Sequence, residues 1–223
     1  MISDYSEILG IFRELDAIMM EQVNIFMIGG GAMMKHGLKI RTKDIDIIVG
    51  TDDEYDAVLN AFTGLGFISE IPGGPYGRLT MPGVLIRGDL RVDLFCREVC
   101  GKFSLSDGMM MRASEEDTGL KRISLRVCSP DDIFLFKTMT EREGDEEDCA
   151  NIIRDVGLDW QIILDEAVKQ SEAGKSVWIT WIAERLENFA KKNLNIPILN
   201  DIVRLADKYT DEWMRSYDER DLL

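Results

Sequence analysis

The stretch from Phe26 to Val49 constrains the fold of this chain more than any other. A short apolar run over 25–28, predicted to be a strand, leads into a glycine turn. A brief helix and a second strand are predicted to follow. The second strand carries Asp44 and Asp46. Side chains two residues apart on a strand point to the same face, so these two carboxylates are predicted to lie side by side.

The glycine turn and the aspartate pair together indicate a chemistry. Adjacent carboxylates repel each other unless a cation lies between them, and oxygen ligands suit Mg²⁺. Gly29, Gly30 and Gly31 let the backbone approach a ligand closely, and the N–H groups of the following helix can hold phosphate oxygens. The stretch therefore predicts a site for a metal ion and a triphosphate.

The spacing of these residues resembles a known signature. Gly29-Gly30 followed by Asp44-Ile45-Asp46-Ile47 is similar to the motif of the nucleotidyltransferase superfamily typified by DNA polymerase beta. Members of that superfamily carry a third acidic residue on a later strand. Asp93, within the alternating run 91–95, matches it, and Asp89 is the competing candidate. Within the superfamily the chain resembles small prokaryotic members of the abortive-infection toxin type and related uncharacterised proteins.

The resemblance implies roles for the three aspartates. Asp44 and Asp46 would hold metal ions that bridge the nucleotide phosphates. Asp93 would bind the second metal ion and help to deprotonate the attacking hydroxyl. Two Mg²⁺ ions are implied, with Mn²⁺ as the alternative.

The toxin-type proteins also carry a lysine and an aspartate on a downstream helical segment. Lys137 matches the lysine, which would contact phosphate, and Asp145 matches the aspartate, with Asp148 as its rival. From the residues alone, Lys137 is equally well explained as a lysine whose stem lies on the core while its amine reaches water. The acidic run over 141–148 is equally typical of a solvated turn.

Two residues that precede the aspartates are further candidates. Arg41 and Thr42 would contact phosphate or orient a carboxylate. A pair at the surface, where the chain enters the strand, is an equally good interpretation.

The remaining pattern predicts an α+β protein in two parts. Residues 1–128 are predicted to form a mixed sheet of nucleotidyltransferase type flanked by helices, and residues 129–223 an all-helical region, with the active cleft between them. The Ser129-Pro130-Asp131-Asp132 sequence is a strong helix start and marks the change. Strands are predicted over 77–81, 84–87, 90–96 and 122–127, an irregular stretch over 100–119, and C-terminal helices over 131–142, 145–155, 159–170, 175–192 and 197–216.

Composition limits the partners of the chain. A net charge of −15 disfavours nonspecific binding to nucleic acid. No apolar run reaches the ~20 residues that span a bilayer, and the N-terminus lacks a basic signal region, so a cytoplasmic protein without a membrane partner is expected. Four cysteines without a Cys-x-x-Cys pair predict reduced thiols rather than a zinc site. The helical spacing of Trp178, Trp181, Phe189 and Trp213 predicts core or a helix–helix interface rather than base stacking.

These observations lead to one predicted function and one alternative. The chain is predicted to be a Mg²⁺-dependent nucleotidyltransferase that moves a nucleoside monophosphate from a nucleoside triphosphate to a hydroxyl or phosphate acceptor. The acceptor would be a small molecule, a protein side chain or an RNA end. The alternative is a catalytically inactive module that binds nucleotide or metal and regulates a partner. Such a module would be one member of a toxin–antitoxin pair, with an antitoxin or a second copy of the chain as partner.

Overall fold

The computed structural model describes residues 1–70, 83–140, 142–174 and 176–218. Residue contacts divide the chain into two compact units, Met1–Phe136 and Lys137–Leu223. This division lies at the end of the helix Pro130–Lys137, whereas the sequence places the domain boundary at the start of that helix. The boundary after residue 128 stays a prediction.

The first unit is built on a mixed sheet. Its described strands, in chain order, are β1 (Val23–Ile28), β2 (Ile45–Val49), β3 (Ile68–Glu70), β4 (Val84–Arg87), β5 (Leu90–Cys96), β6 (Glu98–Val99), β7 (Phe103–Ser104), β8 (Ser114–Glu115) and β9 (Ile123–Val127). Seven of them form one sheet in the order β3-β4-β5-β2-β1-β9-β8, while β6 and β7 pair separately. The pairs β1–β9 and β2–β5 are parallel and the other pairs of the large sheet are antiparallel, which confirms the predicted mixed sheet.

The first unit also contains five described helices, interspersed with its strands. They are α1 (Tyr5–Ile18), α2 (Gly29–Lys35), α3 (Asp52–Gly64), α4 (Asp107–Arg112) and α5 (Pro130–Lys137). The start of α3 shows how local sequence sets a boundary. Thr51 is the N-cap, its hydroxyl oxygen accepts a hydrogen bond from the Glu54 N–H, and the Glu54 carboxylate accepts from the Gly50 N–H. The Glu54 carboxylate also accepts from the Asn24 N–H, so the same residue ties the helix start to β1.

The predicted secondary structure differs most clearly from the observed one in two places. Residues 100–119 are not irregular, because β7, α4 and β8 lie there. Helix α5 ends at Lys137 rather than continuing to residue 142. The predicted strand over 77–81 lies outside the described residues. The strands β4 and β5 have the predicted bounds, 84–87 and 90–96.

The second unit is helical in its described residues, as predicted. It contains α6 (Glu143–Asp155), α7 (Trp160–Glu172), α8 (Ser176–Lys191) and α9 (Leu199–Asp218). Trp178 and Phe189 are fully buried on α8, which confirms the core prediction for both. Trp213 on α9 is 48% exposed and does not belong to that core.

Two further expectations concern the chain as a whole. Among the described helices, none combines the length and the apolar character needed to cross a membrane. All four cysteines carry free thiols, and Cys100, Cys128 and Cys149 are buried.

Candidate active site

Three carboxylates meet where β2 and β5 run side by side. The parallel register places Asp46 of β2 directly opposite Asp93 of β5, and Asp44 immediately precedes β2. Each of these aspartates has a carboxylate oxygen within 4.8 Å of the corresponding oxygens of the other two. Asp93 is buried, with 7% of its surface exposed, whereas Asp44 and Asp46 are half-buried. The structure therefore brings together the three aspartates that the sequence selected. Asp89, the alternative to Asp93, is exposed in the turn before β5.

The donor set of this cluster fits a hard divalent cation. Carboxylate oxygens are the ligands that Mg²⁺ and Mn²⁺ prefer, and among the described residues the cluster consists of carboxylates alone. Three carboxylates at this separation repel one another when all are ionised. A bound cation would offset that repulsion, so the residues fit the metal that the sequence predicts.

The glycines are required by close packing against the aspartate strand. Helix α2 begins at Gly29 itself, so the predicted turn before the helix is absent and the glycines form its first turn. Gly29 has φ +62°, and a Cβ there would stand 2.0 Å from Asp46 Oδ2. A Cβ on Gly30 would stand 2.2 Å from Thr42 Oγ1. The sequence prediction missed this because helix propensity disfavours glycine, and here the space left by the neighbouring side chains outweighs propensity.

Thr42 is placed to orient a carboxylate. It is 5% exposed, its hydroxyl donates to the Asp44 carbonyl at 3.0 Å, and its Oγ1 lies 3.5 Å from Asp44 Oδ1. Its backbone is bridged to Ile2 by two hydrogen bonds of 2.9 Å. The interpretation of Thr42 as a surface residue is wrong. Arg41 is exposed, and its contact with phosphate stays a prediction.

Arg91 is a member of the site that the sequence reading did not select. Its Nε donates to Asp93 Oδ1 at 2.8 Å and its Nη2 donates to Asp93 Oδ2 at 2.9 Å. The hydrogen bond to Asp93 raises the pKa of Arg91; burial acts in the opposite direction, and the negative charges of Asp93, Asp44 and Asp46 add to the rise. Arg91 and Asp93 stand two apart on one strand, the same spacing that identified the aspartate pair, so the signal was available.

Lys137 and Asp145 lie in the second unit, where they form a buried ion cluster. The Lys137 amine is 2.8 Å from Asp145 Oδ1 and 2.7 Å from Asp148 Oδ2. The cluster thus includes both the predicted aspartate and its rival. Each of the three residues is 8% exposed, so the amine does not reach water along the surface. The hydroxyl of Thr140 and the Nε of Arg142 also donate to Asp145.

The charges in this cluster depend on one another. Burial raises the pKa of Asp145, but the charge and hydrogen bond of Lys137 outweigh it, and the pKa lies below its usual value. Burial lowers the pKa of Lys137, but the two carboxylates outweigh it and raise that pKa. The contribution of Asp145 to stability is therefore complete above about pH 4 and is lost as pH falls through its lowered pKa. The contribution of Lys137 is complete below about pH 10 and is lost as pH rises through its raised pKa.

Arg91→Gln tests whether the guanidinium holds the carboxylate cluster together. The change removes the cation beside Asp93, so we expect the metal-free protein to lose roughly 1 kcal/mol of stability, since Arg91 is partly exposed. Because the guanidinium of Arg91 then no longer competes for Asp93, Mn²⁺ should raise the melting temperature more in the variant than in the parent. Arg97→Gln is the matched control, since it removes a positive charge from an exposed pair with Asp52. Equal Mn²⁺ shifts in Arg91→Gln and the parent would contradict this role.

Lys137→Met tests the buried ion cluster. It leaves Asp145 and Asp148 buried without their shared cation, so we expect a loss of about 3–5 kcal/mol in the free energy of unfolding, measured with urea. Lys192→Met removes an exposed lysine paired with Glu146 and should cost about 0–1 kcal/mol. Similar losses in the two variants would show that the cluster does not stabilise the unit. If the large loss occurs, weaker nucleotide binding by Lys137→Met would not by itself indicate contact with phosphate.

The fold of the chain was compared with solved structures. The chain resembles the crystal structure of ANT(2")-Ia in complex with adenylyl-2"-tobramycin, with 12% identity, 77% of this chain and 97% of the other covered, and a TM-score of 0.47. The solution structure of the antibiotic-resistance factor ANT(2'')-Ia gives 13% identity, coverage of 85% and 100%, and a TM-score of 0.45. An antigenic nucleotidyltransferase-like protein from Paracoccidioides brasiliensis is 15% identical, with 78% of this chain and 91% of the other covered and a TM-score of 0.41.

Sequence comparisons identify a family for this chain but no individual curated relative. No curated protein matches the chain. A family model described as "Nucleotidyltransferase of unknown function (DUF6036)" matches residues 6–187, which is most of the chain and includes Asp44, Asp46 and Asp93. The family match, rather than the structural likenesses, carries the assignment. This chain belongs to that nucleotidyltransferase family.

Proposed function

We propose that this chain is a Mg²⁺-dependent enzyme that transfers a nucleoside monophosphate from a nucleoside triphosphate to a hydroxyl or phosphate acceptor. The observation that carries the proposal is the convergence of Asp44, Asp46 and Asp93 within 4.8 Å, directly beside the glycine start of α2. Membership of a nucleotidyltransferase family supports it. The acceptor is a small molecule, a protein side chain or an RNA end, and the net charge of −15 favours the first two.

The roles of the residues follow from their positions. Asp44 and Asp46 would hold Mg²⁺, or Mn²⁺ in its place, with Thr42 fixing the backbone of Asp44. Bound metal ions would neutralise the charge that develops on the triphosphate and on the leaving pyrophosphate. Backbone N–H groups of Gly29, Gly30 and Gly31, together with Arg41, would contact phosphate oxygens.

We assign to Asp93 the role of accepting the proton of the acceptor hydroxyl. The acceptor oxygen forms a bond to the α-phosphorus, the bond from that phosphorus to pyrophosphate breaks, and the acceptor's proton passes to a carboxylate. Asp93 is buried and has Arg91 as its partner, so Arg91 must release at least one of its oxygens before it can serve. Lys137 and Asp145 enter the proposal only through the toxin-type resemblance, because both already take part in the buried cluster.

One observation favours the alternative of an inactive binding module. The paired hydrogen bonds from Arg91 satisfy both oxygens of Asp93 without a metal ion, as a structural carboxylate would require. A module of this kind would bind nucleotide and metal through Asp44 and Asp46 and regulate an antitoxin or a second copy of the chain. Turnover separates the two functions.

Replacing Asp44 and Asp46 by asparagine tests the metal–triphosphate site. In the parent, Mg²⁺ with a nucleoside triphosphate should raise the melting temperature. At a ligand concentration one hundred times Kd, the free energy of unfolding should rise by about 2.7 kcal/mol. The double variant should show no such shift, and its metal-free form should be as stable as the parent or more so because repulsion is removed. Asp53→Asn with Asp56→Asn, two exposed acids of α3, is the charge-matched control. A parent-like shift in the Asp44/Asp46 variant would refute the site.

Asp93→Asn separates an enzyme from a binding module. We expect pyrophosphate release to fall by about 10²–10⁴-fold, the scale of lost acid–base assistance, while calorimetry shows little change in nucleotide affinity. Asp89→Asn is the control, because Asp89 is acidic, close in sequence and exposed. A parent that binds nucleotide but releases no pyrophosphate with any acceptor would establish the binding module. Loss of turnover in Asp89→Asn but not in Asp93→Asn would reverse the assignment.

A further inference from the structure

A hollow in the second unit lies far in sequence from the aspartate cluster. One wall is a face of α8, where Trp181, Arg185 and Asn188 follow one another at helical spacing. Thr138, Met139 and Thr140, which follow α5, also line the hollow. The hollow has a volume of about 210 Å³, which is smaller than a site for a drug-sized ligand and leaves room only for a small molecule.

Arg185 is the residue that makes this hollow a candidate binding site. It is 8% exposed, and its Nη2 donates to the Thr140 carbonyl. Its Nη1 is buried and has no hydrogen-bond partner among the residues that the structure describes. A buried guanidinium nitrogen without an acceptor is costly, by far more than the same nitrogen in water. An acceptor supplied by a ligand would remove that cost.

The other lining residues restrict the ligand. Glu146 and Glu184 also line the hollow, and Glu146 is already paired with Lys192, so a doubly charged anion would be repelled by nearby carboxylates. A carboxylate carries one charge on two oxygens, which suits a single free guanidinium edge. Trp181 is half-buried and offers a flat apolar wall, and the Asn188 amide offers further hydrogen bonds.

We propose that this hollow binds a small organic acid through its carboxylate, with the carboxylate on Arg185 and a planar apolar body against Trp181. The site goes beyond the proposed nucleotidyl transfer and needs neither metal nor nucleotide. Its failure would leave the aspartate cluster untouched. The interpretation of Trp181 as a core or interface residue then holds for one face of its ring, while the other faces a ligand.

The test uses benzoate as the probe and benzamide as its neutral match, each titrated into the full chain without metal or nucleotide. The readout is the indole N–H signal of Trp181 in a nitrogen–proton correlation spectrum, assigned with Trp181→Phe. Benzoate should shift this signal with saturation in the millimolar range or below, and bind at least about tenfold tighter than benzamide. Equal titrations by the two probes, or no titration by benzoate, would overturn the proposal.

Variants test whether the carboxylate of benzoate binds at Arg185. Arg185→Gln should weaken benzoate binding by about tenfold or more, whereas Arg204→Gln, which removes an exposed arginine from α9, should leave it unchanged. Glu184→Gln should strengthen binding about two- to fourfold, because a nearby negative charge is removed. That gain cannot come from misfolding, so it decides the matter if Arg185→Gln does not fold. Unchanged binding in Glu184→Gln or in a folded Arg185→Gln, or tighter binding of inorganic phosphate than of benzoate, would overturn the assignment.

Discussion

Repulsion between carboxylates is the constraint around which the first unit is arranged. The β2–β5 register brings Asp46 and Asp93 face to face, and Asp44 stands beside them. In the described structure Arg91 limits this repulsion, since its paired hydrogen bonds hold Asp93. The ion pair with Arg91 lowers the cost of bringing these carboxylates together when no metal ion is bound. The cluster thus combines a stable metal-free form with the capacity to bind a divalent cation.

That cluster in turn dictates the backbone around it. Helix α2 can begin directly after β1 only because Gly29 and Gly30 leave room for Asp46 and Thr42. Thr42 is held by its bridge to Ile2, which lies just ahead of α1. A side chain at either glycine would push α2 away from the aspartate strand. Glycine serves here to allow close approach between two protein segments.

Local patterns predicted much of this unit, and long-range partners were what they missed. The bounds of β4 and β5 and the shared face of Asp44 and Asp46 follow from neighbours within four residues, where periodicity acts. The burial of Thr42 depends on a bridge to Ile2. The short strand β8 pairs with β9, whose partner residues lie 11 (126 − 115) and 13 (127 − 114) positions later in the chain. No local pattern contains that information, and propensity alone placed the glycines outside the helix.

Buried cations show how the second unit differs from what its sequence suggests. An isolated lysine on an apolar helical face usually sends its amine to water, but Lys137 is enclosed and carries two carboxylates from α6, eight and eleven residues later in the sequence. Arg185 is equally buried, yet its described partner is a single backbone carbonyl. Burying a charge costs free energy at both residues. For Lys137, two carboxylates of α6 offset that cost. Arg185 lines the hollow and has one buried nitrogen without an acceptor among the described residues, so an acceptor from outside the chain would satisfy what the fold does not.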